Sequence, residues 1–241
     1  MSGIAAAFVA ACEAERLALK PGNVHVWADG RRMTVTDFRA SARAAAPAMA
    51  EPGLGVGERV WRSVAATHDA VGQNTNLGIL LLAAPLAQAA QARSAWEDLR
   101  AALGRVLAGL DVQDARHVYR AIRLARPAGL GRAPRHDVQD EPEVTLLEAM
   151  RAAADRDSIA RQYASGFADV LELGLPRLRE RRAIGWPEPW AVAAVHLGFL
   201  GGLADSHLLR KYGPAVAEEV RTEAGRLDRR LLAAPAPDTM I

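Results

Sequence analysis

Lysine is almost missing from this chain. Of its 30 basic residues only Lys20 and Lys211 are lysine; the rest are arginine. A codon bias toward arginine erodes lysine wherever the two serve equally. A lysine that survives marks a place where a compact ammonium is wanted rather than a planar fork. Cysteine is scarcer still. Cys12 stands alone, which excludes an internal disulfide and fits a reducing cytoplasm. Aromatic residues make up 5% of the chain, and alanine dominates an apolar share of 50%. β-branched residues are thin, so the composition favours closely packed helices over sheets. No run approaches 18 uncharged apolar residues, and no membrane-crossing helix is expected. The opening "MSGIAAAFVAAC" lacks the basic residues of a signal peptide and continues into "EAERLALK" as one helix. The formal charge of +2 is spread without a basic run, which argues against a nucleic-acid stripe. There is no HExxH and no CxxC, and "GLGVGER" lacks the Gly-Lys-Ser/Thr ending of a phosphate loop.

What is present is helical period almost throughout. Apolar residues recur at three- and four-residue spacing, with no strand alternation. The pattern predicts helices over about 2–20, 35–50, 57–73, 76–91, 94–109, 111–126, 144–155, 156–173, 174–183, 187–207 and 213–232. Breaks fall at "KPGN", "AEPGLGVG", "QNTN", "GWPEP" and "KYGP", each carrying Pro, Gly or Asn as punctuation. The reading is an all-α, single-domain multi-helix bundle over 1–232, about ten helices, with 233–241 as a flexible tail. Residues 127–143 form the longest non-helical stretch, short for a linker and long enough for a lid.

Three polar clusters interrupt the apolar pattern. In "EAERLALKPGNVH" a helix stops at Pro21-Gly22. Glu15, Lys20, Asn23 and His25 crowd that corner, where a carboxylate, an ammonium and an imidazole can converge. A cationic helix C-terminus with a Gly/Pro stop explains the same residues by capping alone, and both readings stand. In "QNTNLGILLL", Asn74, Thr75 and Asn76 precede a buried helix. One such residue is an ordinary N-cap, but three exceed what a cap requires. Their side chains and the free first-turn N–H groups suit a phosphate or a ribose, with Gly78 allowing close approach. In "GGLADSHLLRKYG", an apolar helix ends in Asp205 and His207, with Arg210 and Lys211 three and four residues after His207 on one face. Cations beside one carboxylate suit a polyphosphate with Mg²⁺. Weaker candidates are Thr67, the Asp157–Arg161 pair, His117, Tyr119 and Asp137, the last without an evident partner.

Taken in order, Glu15…"KPGN", Thr67…"NTNLG", "ARQYASGF" and "DSHLLRKYG" resemble the triphosphoribosyl-dephospho-CoA synthase family over residues 11–213. "AIRLARPAGLG" is similar to the family's shorter, archaeal-type branch. The resemblance implies an all-α fold, ATP as substrate with Mg²⁺, and transfer of a 5-triphosphoribosyl group. The ribose 2′-OH of dephospho-CoA attacks C1′ of ATP and expels adenine. Such a reaction needs its triphosphate, metal and protons held, and the three clusters supply the expected candidates. Lys20, Asn23, Asn74, Thr75, Asn76, Gly78, Arg210 and Lys211 hold nucleotide. Glu15 and Asp205 hold the metal. Asp205, His25 and His207 serve the chemistry, since a hydroxyl needs a base and a departing adenine an acid.

One segment departs from the family's pattern. Gly30 and Arg32 stand where a His and an Asp are usual, leaving Met33 of that motif. Exchanging an acid for Arg removes a metal or hydroxyl contact and adds an anion contact. Two alternatives stand beside this reading, the first favoured by the altered motif. The chain can be a phosphoribosyl transferase of methanopterin-type one-carbon carrier assembly, or a non-catalytic nucleotide-binding protein. The expected partners are small-molecule nucleotide substrates, with neither nucleic acid nor membrane involved.

Overall fold

The computed structural model describes residues 3–20 and 34–235. Its twelve α-helices are α1 (Gly3–Leu17), α2 (Val35–Ala50), α3 (Val56–Val71), α4 (Leu77–Ala92), α5 (Leu99–Ala108) and α6 (Val112–Ala125), then α7 (Leu146–Ala153), α8 (Ser158–Ser165), α9 (Leu175–Ala183), α10 (Glu188–Gly202), α11 (Ser206–Tyr212) and α12 (Pro214–Ala233). A π-helical turn, Asp169–Gly174, precedes α9. No strand occurs among the described residues, so the all-α expectation holds. Among the described residues no single helix is long and apolar enough to cross a membrane.

Most predicted helices appear within a few residues of their expected bounds, and three differ for local reasons. The helix expected from 94 begins at Leu99, where Asp98 takes extended backbone as N-cap. The helix expected over 156–173 breaks where Gly166 (φ 65°) and Phe167 (φ 64°) both adopt the left-handed conformation. The long helix expected over 187–207 ends at Gly202, and Asp205 starts the separate α11 by accepting from the amides of His207 and Leu208.

The described chain divides into two compact units, the first from Met1–Cys12 and Thr36–Gly166, the second from Glu13–Val35 and Phe167–Ile241. In the first unit α3 packs on α6, which Gly57 permits. A Cβ there would collide with the Asp114 backbone, and the Gly57 amide donates to Asp114 Oδ1 at 2.7 Å. Buried Leu80, Leu81 and Ala84 face the core from α4. Pro85 in the same helix has no N–H to offer the Leu81 carbonyl. The Tyr163 hydroxyl fills that vacancy, donating to Leu81 O at 2.7 Å from a fully buried position. The second unit rests on a close crossing of α10 and α12, where a Cβ on Gly201 would lie 2.7 Å from the Gly225 backbone. Arg177 of α9 pairs with Asp228 of α12 at 2.6 Å and donates to the Ala194 carbonyl at 3.2 Å.

Candidate functional site

In the first unit, α3 closes at Gly72 in the left-handed conformation (φ 69°), and the chain passes through residues 73–76 into α4. The three polar residues there do different work. Asn74 Oδ1 accepts from the Leu77 amide at 3.1 Å, so Asn74 is the side chain that satisfies the helix start. Asn76 occupies the N-cap position but makes no cap bond. Its Nδ2 donates instead to Thr67 Oγ1 at 3.1 Å; Asn76 is 5% exposed, and its Oδ1 has no hydrogen-bond partner. Thr75 Oγ1 lies 2.6 Å from Ser41 Oγ, which lies 2.6 Å from the Asp37 carbonyl. Gln73 Nε2 donates to the Asp37 carboxylate at 3.3 Å. Residues 73–76 are thereby fastened to the first turns of α2 and to the inner face of α3.

Sequence reasoning missed Ser41 and Asp37. The signal was there: Ser41 lies among the alanines of α2, at a position now seen to be wholly buried, and a hydroxyl on such a face needs partners. Thr67, a weaker candidate from the sequence, accepts that bond from Asn76. Gly78 has a packing explanation, since a Cβ there would meet Ile159 Cδ1 of α8 at 3.1 Å.

In the second unit, Lys20 follows the end of α1. It is 3% exposed and ion-paired with half-buried Glu15. Burial of an ammonium is costly unless compensated, and Glu15 supplies that compensation. Asn23 and His25 lie outside the described residues, as do Gly30, Arg32 and Met33. Asp205 Oδ1 accepts from the amides of His207 (2.8 Å) and Leu208 (2.9 Å), so this carboxylate caps α11. His207, Arg210 and Lys211 are exposed, and the Lys211 ammonium sits 4.9 Å from the Tyr212 ring centroid. No group of three metal-ligating side chains occurs among the described residues. Glu15 and Asp205 each keep one carboxylate oxygen without a bond to a described residue.

The stretch 127–143 is held by the first unit's own side chains. Tyr119 donates to the His136 carbonyl and Arg123 to the Val138 carbonyl, both at 2.7 Å. Asp137, which the sequence left without a partner, is the organiser. It is buried and accepts from the amides of Ala133 (2.5 Å) and Gln139 (2.8 Å) and from Arg132 (3.3 Å). The Ala133 amide above all, then the Gln139 amide, hold its pKa below the usual carboxylate value. Asp157 is the N-cap of α8, accepting from the amides of Ile159 and Ala160.

A family model described as ATP:dephospho-CoA triphosphoribosyl transferase matches residues 1–239, and so runs through both units. Among solved structures, a protein from Archaeoglobus fulgidus provisionally assigned as a triphosphoribosyl-dephospho-CoA synthase is similar. Identity is 25%, with 80% of this chain and 85% of that chain covered at a TM-score of 0.60. No curated protein matches the chain.

Proposed function

We propose a function from one premise: this chain belongs to the ATP:dephospho-CoA triphosphoribosyl transferase family. It is a transferase that moves the 5-triphosphoribosyl group of ATP to the ribose 2′-OH of dephospho-CoA. A C1′–O bond forms, the C1′–N bond to adenine breaks, and the hydroxyl proton balances the departing base. The observation that carries this reading is the family match across nearly the whole chain; the likeness to the Archaeoglobus protein agrees with it. Neither comparison favours the one-carbon-carrier or the non-catalytic alternative. The match through both units supports treating 1–232 as one transferase domain.

The chain's own residues divide the work as follows. The polar turn before α4 holds part of a nucleotide in this reading: Asn74 serves the Leu77 amide, Thr75 and Asn76 bond Ser41 and Thr67, and the buried Asn76 Oδ1 lacks a partner. Lys20, Arg210 and Lys211 supply positive charge for the triphosphate. His25 and His207 are assigned the proton transfers, from the attacking hydroxyl and to the departing base. Mg²⁺ would be held by Glu15 and Asp205. Each has one oxygen to give, which suits an ion that takes one or two carboxylates and otherwise substrate phosphates. When bound, it would neutralise charge on the triphosphate. ATP and dephospho-CoA are intracellular compounds, so a cytoplasmic location belongs to the same proposal.

The test is chromatographic detection of free adenine after incubation with ATP, Mg²⁺ and dephospho-CoA. Adenine is expected only when dephospho-CoA is present. No adenine, from protein shown to be folded, would overturn the assignment.

A further inference from the structure

We infer that Ser41 is a positioning residue that turns Thr75 into a pure hydrogen-bond acceptor, and that Thr75 therefore binds a ribose hydroxyl and not a phosphate oxygen. The inference rests on the nucleotide reading above and deepens it.

The argument is a count of protons. Two successive O···O contacts, Thr75 Oγ1 to Ser41 Oγ and Ser41 Oγ to the Asp37 carbonyl, each measure 2.6 Å. At that separation two oxygens repel unless a proton lies between them. A carbonyl has no proton to give, so the Ser41 hydroxyl must donate to Asp37 O. Ser41 has only the one proton, so the Thr75–Ser41 contact must take its proton from Thr75. The Ser41 side is wholly buried, where no water can substitute. Thr75 is thus left with lone pairs and nothing to donate. A phosphate oxygen is itself an acceptor and is repelled by such a group, whereas a ribose hydroxyl brings the missing proton. Asn76 gives an independent sign that this turn awaits a ligand. It is 5% exposed, and its Oδ1 has no hydrogen-bond partner, although a buried acceptor ordinarily finds one. Neighbouring Asn74 is absorbed by capping, whereas the Thr75 and Asn76 side chains bond Ser41 and Thr67 instead of the helix start.

Two riboses pass through the reaction, the donor's and the acceptor's, and a binding experiment separates them. Calorimetric affinities would be measured for ATP, 2′-deoxy-ATP, 3′-deoxy-ATP, dephospho-CoA and inorganic tripolyphosphate, each alone. If the donor ribose is the ligand, wild-type protein prefers ATP to one deoxy analogue by about five- to tenfold, the worth of one hydrogen bond. Thr75→Val abolishes that preference, and Thr75→Ser keeps it. If the acceptor ribose is the ligand, Thr75→Val weakens dephospho-CoA by the same factor and leaves ATP alone. In either case Ser41→Ala reproduces the Thr75→Val effect in part, and the double variant loses no more than Thr75→Val. Tripolyphosphate affinity stays unchanged throughout.

Two results overturn the inference. One is that Thr75→Val weakens tripolyphosphate as much as ATP, which would put Thr75 on phosphate. The other is that Ser41→Ala lowers the melting temperature but leaves every affinity ratio intact, which would make it structural only. Preferences as expected without adenine release would remove the proposed reaction and keep this inference. Adenine release with no hydroxyl preference changed by Thr75→Val would do the reverse.

Discussion

Arg59 shows how a single side chain can hold an element in place. It is wholly buried, and its guanidinium donates to the carbonyls of Met49 (2.5 Å) and Leu54 (3.1 Å) and to Gln91 Oε1 (2.8 Å), with Ala48 O at 3.4 Å. Ala48 and Met49 lie in the last turn of α2, whose carbonyls have no intrahelical donors. Arg59 therefore caps that helix from outside. Burial is the main influence that pulls its pKa below the ordinary arginine value, with Glu51 pushing back. Arg59→Met should cost about 3–5 kcal/mol, because several buried acceptors lose their donor together. Chemical denaturation with intact far-UV circular dichroism would check this, and a loss under 1 kcal/mol would contradict it. The neighbouring case of Tyr163 carries less. Tyr163→Phe should cost about 1–2 kcal/mol by leaving the Leu81 carbonyl beside Pro85 unbonded, measured the same way.

Among the elements, the stretch 127–143 is governed by one carboxylate. The pKa of Asp137 is depressed in the folded protein, so it adds stability above its unfolded value of about 3.9, which is lost as pH falls through the lower folded value. Acidification below about pH 4 should release the segment to protease before the helices melt. Asp137→Asn should show early cleavage already at neutral pH, with little further change on acidification. Equal cleavage of both proteins across the range would mean that Asp137 does not organise the segment. The α10–α12 crossing follows a different rule, in which space rather than charge decides. Gly201 and Gly225 bring two backbones together at a distance no side chain would permit.

For the molecule as a whole, ligand binding should appear as stability. If the native protein binds ATP and the unfolded chain does not, ATP at 100 times its dissociation constant adds about 2.7 kcal/mol. Thermal melts with ATP and with adenine alone would test this. A shift with ATP and none with adenine is expected, since the triphosphate and ribose supply the proposed contacts. Equal shifts would place the affinity in the base and count against the roles given to Lys20 and Thr75.

The sequence by itself determined the all-α architecture, most helix bounds and the family. These depend on period, capping residues and ordered motifs, which are local in the chain. It also singled out "QNTN", because three polar residues before an apolar helix exceed capping needs. It could not tell which of them serves the helix start and which bond α2 and α3. That division depends on Ser41, Asp37 and Thr67, which lie up to 39 residues away along the chain and meet the turn only after α2, α3 and α4 have packed. The same holds for Arg59 and Asp137. A charge in a helical pattern reads as solvated until tertiary packing removes the water and requires a partner for each proton and lone pair.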